Sequence, residues 1–254
     1  MKENLPSVFI SHLDNLLGNE AVELIKSFST TPPVSIRINP FKNYFPPENS
    51  GKVPWCDTGF YLPVRPVFTL DPSFHAGAYY VQEASSMFLE QAIKQITKKE
   101  EPVKVLDISA APGGKSTHLL SLLPKNSLLV ANEVIRSRAG ILKENIIKWG
   151  VPNVIVTSSD PERFSDLKSF FDIILVDAPC SGEGLFRKDA NAIKEWSQEN
   201  VNLCHQRQKR ILNNVWTALR PGGYLIYSTC TYQTKENENQ LIKFVHENNA
   251  ETVP

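Results

Sequence analysis

Two cysteines and an aspartate are the residues best suited to chemistry in this sequence. They stand in the segments DAPCSG, which contains Asp177 and Cys180, and STCT, which contains Cys230. A thiolate is a strong nucleophile, and a nearby carboxylate can balance developing charge or move a proton. Buried cysteine is commonly only a small apolar side chain, and that interpretation is kept for Cys56 and Cys204.

A glycine-rich turn is the second feature with chemical potential. The apolar stretch VKVLDI leads into a run of small residues that lets the backbone approach a ligand closely: Ser109, Ala110, Ala111, Pro112, Gly113, Gly114 and Lys115. The run ends like a phosphate-binding loop, GxxxxGK[ST], but its first position is serine, and the proline removes one N–H donor. A nucleotide triphosphatase and a tight turn without any ligand therefore remain as alternatives.

Three further polar residues follow at spacings typical of nucleotide-like cofactors. Glu133 lies about twenty residues beyond the glycines, where an acid accepts hydrogen bonds from ribose hydroxyls. Arg138 lies one turn into the helix that follows, and Asp160 follows the next apolar stretch. We expect Asp160 to accept a hydrogen bond from an adenine amino group. Glu133 and Arg138 are equally typical of exposed positions when each is considered alone.

The composition is that of a folded globular chain. The 254 residues are 41% hydrophobic and 21% charged, and the 27 Lys and Arg residues balance 27 Asp and Glu. A nucleic-acid partner would therefore need a local basic surface, for which the candidates are Arg37, Arg187, Lys188, Lys209 and Arg210. The four cysteines form no CxxC pair, so a disulfide and a zinc site are disfavoured and no metal is predicted. Without a secretory signal or a membrane-length apolar stretch, the sequence indicates a cytoplasmic protein with no membrane partner.

Strands and helices must alternate to position these residues. The pattern predicts strands at 103–108, 128–132, 154–157, 171–177 and 224–228, and helices at 84–96, 115–123, 136–149, 200–219 and 237–249. This alternation predicts a parallel, doubly wound α/β sheet that binds ligands at the carboxyl ends of its strands. If the fourth and fifth strands are neighbours, Cys180 and Cys230 converge.

The first part of the chain has a different character. Residues 5–28 predict two short helices broken near Gly18, 34–39 predict a strand, and PPENSGKVP predicts a loop. We expect a small N-terminal α+β module at 1–72 on the RNA side, followed by a catalytic domain at 73–254.

Together these segments resemble the RsmB/NOP/Sun family of S-adenosyl-L-methionine-dependent RNA 5-methylcytosine methyltransferases, and the bacterial RsmF-type ribosomal enzymes most of all. The segments that carry the resemblance are SIRIN, HAGAYYVQEASSM, SAAPGGKST, DAPCSGEGLFRK and RPGGYLIYSTCT. It implies the class I, Rossmann-like methyltransferase fold, with ribosomal RNA or a ribosomal subunit as partner and small-subunit 16S rRNA as substrate.

The resemblance also implies roles for single residues. Residues 109–115 would line S-adenosyl-L-methionine, with Glu133 on its ribose, Arg138 close by and Asp160 on the adenine edge. Asp177 would lie near both cofactor and target base. Cys230 would be the nucleophile that attacks cytosine, and Cys180 would help to release the product.

The end of the sequence departs from the family. Methyltransferase sheets of this class usually finish with an antiparallel hairpin, and RsmF-type enzymes commonly add an RNA-binding domain. Neither follows Pro254, so we expect a chain truncated at its C-terminus. A non-catalytic RNA-binding or assembly factor that retains the fold is therefore the alternative function.

Overall fold

The computed structural model describes residues 5–98 and 100–253. These residues form two compact units. The sheet unit comprises Pro33–Asp177 and Asn213–Tyr227, and the helical unit comprises Met1–Pro32, Ala178–Leu212 and Ser228–Pro254. Within the described part of the chain, no helix is long and apolar enough to cross a membrane.

A five-stranded sheet is the main element of the sheet unit. Its strands are β5 (Lys104–Asp107), β6 (Leu128–Asn132), β7 (Val154–Thr157), β8 (Phe171–Asp177) and β9 (Leu219–Ser228), in the order β7-β6-β5-β8-β9. The pairs β5·β6, β5·β8 and β6·β7 are parallel. The helices that alternate with them are α4 (Leu89–Ile96), α5 (Gly114–Leu122), α6 (Arg136–Trp149) and α8 (Gln198–Trp216). The predicted parallel α/β sheet is confirmed.

Strand β9 begins five residues earlier than predicted, at Leu219 in place of Tyr224. The additional residues include Pro221 and two glycines, which are residue types that weaken or interrupt most strands. Since β9 is the last strand in the sheet order, it tolerates a proline that has no N–H to donate.

A second, antiparallel sheet precedes the large one in the chain. Its strands are β1 (Val34–Ile38), β2 (Gly51–Lys52), β3 (Gly59–Leu62) and β4 (Tyr79–Val81), in the order β2-β3-β1-β4, with the short helix α3 (Pro72–His75) before β4. The sequence predicted only β1. The segment PPENSGKVP, predicted as a loop, contributes β2, which pairs with β3 at Lys52 and Phe60.

Arg37, on β1, corrects one prediction. It was a candidate phosphate contact, but its side chain is 0% exposed. Its guanidinium donates to Gln82 Oε1 at 2.8 Å and to Thr117 Oγ1 at 2.6 Å, and it lies 4.5 Å from the centre of the Trp149 ring. A guanidinium fully engaged in the core is unable to reach RNA, and its role is to join β1 to α5.

The helical unit contains α1 (Ser7–Leu17), α2 (Ala21–Ser27), α7 (Ala190–Glu195) and α9 (Glu238–Glu247). The predicted helix break is confirmed, because Gly18 ends α1 with φ +54°. An aromatic cluster forms the core of the unit: the rings of Phe9 and Phe186 pack edge to face with centroids 5.0 Å apart, and Phe28 and Trp196 pack around them. Tyr232, two residues after Cys230, packs against this core.

Candidate functional site

The glycine-rich turn joins β5 to α5 within the sheet unit. Gly113 stands immediately before the helix with φ +112°, a conformation that side-chain-bearing residues rarely adopt. The turn thus presents backbone, and the first N–H groups of α5, at the carboxyl edge of the sheet. Lys115 lies in the first turn of α5, and its Nζ is 2.7 Å from Asp177 Oδ2 at the end of β8. Two of the predicted site residues are therefore brought together as an ion pair.

Glu133 and Arg138 lie beside the same turn. Glu133 follows β6 directly, is 2% exposed, and accepts a hydrogen bond from the Ile135 N–H at 3.0 Å. Arg138 donates to the Ala111 carbonyl at 2.8 Å, and a second guanidinium nitrogen is 3.4 Å from Glu133 Oε2. The arginine therefore links the glycine-rich turn to the acid that we expect to bind a ribose.

Asp160 lies just past β7, the next strand of the sheet. It caps the 3₁₀ turn of residues 161–166 by accepting from the Glu162 N–H at 3.0 Å. Asn132, at the end of β6, accepts from Thr157 Oγ1 at 2.8 Å and from the Ser159 N–H at 3.0 Å, which fixes the backbone before Asp160. Three neighbouring strands thus deliver the turn, Glu133 and Asp160 at their carboxyl ends.

Asp107, the last residue of β5, was missed by sequence reasoning. It is 1% exposed and accepts a hydrogen bond from Ser116 Oγ at 2.6 Å. Burial raises the pKa of its carboxyl group to about 7, and the negative charge of Asp177 adds to that rise. The position inside an apolar strand immediately before the glycine-rich turn was the available signal.

The helical unit brings the two predicted cysteines together. Cys180 and Cys230 form no disulfide, and their sulfur atoms lie 3.1 Å apart, which confirms the predicted convergence. The Cys230 N–H also donates to Cys180 Sγ at 3.3 Å. Cys230 is exposed, whereas Cys180 is partly covered. The hydrogen bond to Cys230, together with burial, raises the pKa of Cys180 well above that of an ordinary thiol, so Cys180 stays protonated near neutral pH.

Two buried carboxylates next to the thiol pair were also missed. Glu183 and Glu236 are both 0% exposed. The carboxylate of Glu236 accepts from the Ser181 N–H at 3.0 Å and from Ser181 Oγ at 2.5 Å. Glu183 accepts from Thr231 Oγ1 at 2.9 Å. Acidic residues are mostly exposed, so only their position beside DAPCSG and STCT pointed to them.

Close packing also shapes the thiol region. The Gly184 N–H donates to the Cys230 carbonyl at 2.6 Å, and a Cβ at position 184 would lie 2.5 Å from that oxygen. Glycine is therefore required there for the two cysteine segments to meet. Arg187 donates to Thr30 Oγ1 at 2.7 Å and to the Thr31 carbonyl at 3.0 Å, which leaves it partly engaged within the unit.

A buried trio in the sheet unit has the residue types of a metal site. Among the described residues, Cys56, Glu90 and His118 place one potential ligand atom each within 4.8 Å of one another. Glu90 is already paired, with Lys94 Nζ at 2.7 Å and His118 Nε2 at 3.1 Å. Burial raises the pKa of Cys56 to about 11 and lowers that of His118 to about 4, so the trio holds a thiol and a neutral imidazole. The trio is therefore a hydrogen-bonded cluster in which a neutral thiol and a neutral imidazole surround the Glu90 carboxylate.

Comparison with protein families agrees with this geometry. The model of the family "16S rRNA methyltransferase RsmB/F" matches residues 94–254, more than half of the chain. The chain belongs to this family. A second model, the N-terminal domain of 16S rRNA methyltransferase RsmF, matches residues 5–84 of this RsmB/F family member.

Curated relatives of this RsmB/F family member carry the name ribosomal RNA small subunit methyltransferase F. The Vibrio atlanticus protein is 36% identical over 255 residues, which cover 92% of this chain and 52% of the relative. The Aeromonas hydrophila protein is 42% identical over 190 residues, which cover 73% of this chain and 40% of the relative. The chain therefore spans about half of the length of these relatives, or less.

Solved structures share the fold of this RsmB/F family member. A methyltransferase homologue from Pyrococcus horikoshii is 29% identical with a TM-score of 0.78, covering 96% of this chain and 79% of the other. The Pyrococcus horikoshii protein NSun6, solved with SFG, is 21% identical with a TM-score of 0.81, covering 97% and 88%. These likenesses confirm the predicted methyltransferase-type fold.

Proposed function

We propose that this chain is an S-adenosyl-L-methionine-dependent RNA methyltransferase that makes 5-methylcytosine in ribosomal RNA of the small subunit. The observation that carries the proposal is the pair of thiols whose sulfur atoms lie 3.1 Å apart, one of them exposed. Family membership supports ribosomal RNA, or a ribosomal subunit, as the substrate class. With that substrate, the place of action is the cytoplasm.

The residues of the sheet unit fit the proposed cofactor. Glu133 and Asp160 are carboxylates at neighbouring strand ends, suited to ribose hydroxyls and to an adenine amino group. Residues 109–115 would provide the close backbone surface, and Arg138 would hold that surface in place through Ala111. When bound, S-adenosyl-L-methionine supplies the methyl group, and its positive sulfonium is compatible with the Asp177 carboxylate.

Cytosine needs covalent activation because its C5 is a weak nucleophile. In the proposed mechanism the Cys230 thiolate adds to C6, which makes C5 electron-rich enough to be methylated. A water molecule then acts as the base and takes the C5 proton, and the electrons of the C5–H bond form the C5=C6 double bond. The C6–S bond breaks at the same time, and its electrons return to the Cys230 sulfur. Cys180 assists this release. The exposure of the two thiols supports the assignment, because Cys230 is exposed to an incoming base and Cys180 is partly covered.

Asp177 has the proposed task of stabilising the pyrimidine ring while Cys230 adds. A carboxyl group at N3 or at the exocyclic amine offsets the charge that develops there. Lys115 holds the Asp177 carboxylate in one orientation through the 2.7 Å ion pair.

The target base must be unstacked before a thiol can reach C6, so the proposed substrate is a loop, a bulge or an opened RNA segment. We propose that residues 1–72 form the RNA-side module and that 73–254 carry the catalysis. Lys188, Lys209 and Arg210 remain the candidate phosphate contacts. Replacing any one of them should weaken RNA binding to about the same extent for every RNA sequence.

The test is transfer of labelled methyl from S-adenosyl-L-methionine to unmodified ribosomal RNA, both free and in assembled subunits. Replacing the nucleophile in Cys230→Ala should reduce transfer by about 1,000-fold or more, as loss of a covalent catalyst does. Cys204→Ala, at a buried cysteine of the same unit, is the matched control and should retain transfer. Full activity of Cys230→Ala would remove the nucleophile assignment, and cofactor binding without any transfer by the wild type would favour a binding function.

The second cysteine predicts a different result. If Cys180 serves release, Cys180→Ala should accumulate a covalent protein–RNA adduct that is stable in denaturing gels, because addition continues while elimination slows. The double variant lacking both thiols is the control and should form no adduct. An adduct-free Cys180→Ala enzyme that still turns over would contradict the division of labour.

A further inference from the structure

The chain between STCT and α9 contains two consecutive polar residues that contact both cysteine segments. Glu236 is fully buried, and Asn237 is half-buried immediately before α9. Both residues form hydrogen bonds with the residues next to the cysteines.

Asn237 forms hydrogen bonds with the residues on both sides of Cys230 in the chain. Its Oδ1 accepts a hydrogen bond from Thr229 Oγ1 at 2.6 Å, and its Nδ2 donates to the Thr231 carbonyl at 3.0 Å. One side-chain amide thus fixes the residue before the cysteine and the residue after it. The Cys230 backbone, which is outside any helix or strand, has little freedom left.

Glu236 holds the segment that contains Cys180. Its two oxygens accept from the N–H and from the hydroxyl of Ser181, the residue after Cys180. Gln208 on α8 donates to the same carboxylate at 2.7 Å and to the Pro179 carbonyl, before Cys180, at 3.0 Å. Ser181 Oγ and Thr231 Oγ1 lie 2.9 Å apart, so the two segments are in contact at this point.

We propose that Glu236 and Asn237 are positioning residues that set the separation of the two reactive sulfurs. The inference rests on the proposed function for its catalytic consequence. Backbone hydrogen bonds join the two segments at Ala178–Ser228 and at Gly184–Cys230. Between these points, the residues on both sides of Cys180 are held by the side chains of Gln208 and Glu236. Charge-assisted hydrogen bonds to a buried carboxylate are strong and directional, so they are suited to fixing the position of Cys180.

The first test measures the sulfur separation without any methyl transfer. Phenylarsine oxide condenses with two close thiols: two As–S bonds form, and the oxygen leaves as water. The rate of capture is measured by mass spectrometry of the intact protein, with less phenylarsine oxide than protein. Cys180→Ser has only one of the two thiols and is the variant that is unable to form the bridge. Glu236→Gln and Asn237→Ala should slow capture about tenfold, because misplacing one of two reacting groups removes their proximity.

Exposed neighbours on the same turn provide matched controls. Glu238→Gln and Asn239→Ala repeat the two substitutions two residues further on, where both side chains are exposed. These variants should capture the arsenical at the wild-type rate. Asn237→Ala removes a half-buried amide and no buried charge, so it provides a folded variant should Glu236→Gln not fold; thermal unfolding identifies which variants to compare.

The second test separates positioning from binding. In the methyl-transfer assay, Glu236→Gln should lower kcat by about 100-fold while the KM for S-adenosyl-L-methionine stays within about twofold, the pattern for a misplaced reacting group. If the wild type transfers no methyl but arsenical capture still depends on both residues, the proposed function fails and the positioning role stands. Wild-type capture by both folded variants would overturn the inference, whatever their methyl-transfer activity.

Discussion

The sheet unit and the helical unit hold their chemical groups by different means. In the sheet unit, Glu133 and Asp160 follow the ends of β6 and β7, and the strand pairing fixes where each residue lies. In the helical unit, Cys180 and Cys230 lie in segments outside helices and strands, and side-chain hydrogen bonds to Glu183 and Glu236 fix their neighbours. A site built on strand ends depends mainly on the backbone. A site built on loops depends on individual side chains, and single substitutions should therefore damage it more.

The strongest test of that difference is Glu183→Ala. This carboxylate accepts four hydrogen bonds inside the helical unit, from Trp196 Nε1, Thr231 Oγ1, the Tyr232 N–H and Gln233 Nε2. Because the substitution leaves these buried donors without an acceptor, the free energy of unfolding should fall by about 4 kcal/mol. Urea denaturation measures it, with the exposed Glu195→Ala as control. A loss below about 1 kcal/mol would show that the loops are held in some other way.

The buried carboxyl group of Asp107, in the sheet unit, should destabilise the fold. Its ionisation should lower the free energy of unfolding as the pH rises. The pKa of Asp107 is about 7 in the folded chain and about 3.8 when exposed, so the folded state binds more protons between these values. Stability should therefore decrease as pH rises from about 4 to about 7, by on the order of 3 kcal/mol, and then level off.

Asp107→Asn isolates that contribution. The variant carries no titrating carboxyl, so the difference in unfolding free energy between it and the wild type should shift in favour of the variant as pH rises through the same window. Urea denaturation at pH 5 and at pH 8 measures the shift. A difference that is the same at both pH values would mean that Asp107 is not the group that titrates.

The smallest expected effect concerns the backbone of the glycine-rich turn. Gly113→Ala forces a side chain into φ +112° and places its Cβ 3.3 Å from Leu142 Cδ1. We expect a loss of about 2 kcal/mol in unfolding free energy, together with weaker cofactor binding measured by calorimetry. Gly140→Ala, in open space on α6, is the matched control and should gain about 0.5–1 kcal/mol. Equal stability of the two variants would contradict a turn that depends on its backbone conformation.

The elements of the large sheet were predictable because their periodicity is strong. Apolar strands such as Phe171–Asp177 alternate with helices such as Arg136–Trp149, and both bounds agree with the sequence prediction. The antiparallel strands at 51–52, 59–62 and 79–81 were not predicted, since each has at most four residues and the first lies in a segment rich in proline and glycine. Two of them, β3 and β4, pair with β1, which is distant in sequence from β4.

The candidate site was also predictable only in part. Parallel strand order made the meeting of Cys180 and Cys230 predictable from two motifs. Burial of charged residues was not predictable, because Arg37, Glu183 and Glu236 look like surface residues until their partners are known. Arg37 finds Thr117 eighty residues away, and no local pattern encodes such a partner.

That arginine has a practical consequence for exchanging parts between relatives. A chimaera that replaced only the small antiparallel sheet would transplant the Arg37 guanidinium without Thr117 and Trp149, the hydroxyl and the ring that it contacts. The graft should therefore carry α5 and the end of α6 along with β1, which sets the smallest interchangeable block of the sheet unit by hydrogen bonding and stacking.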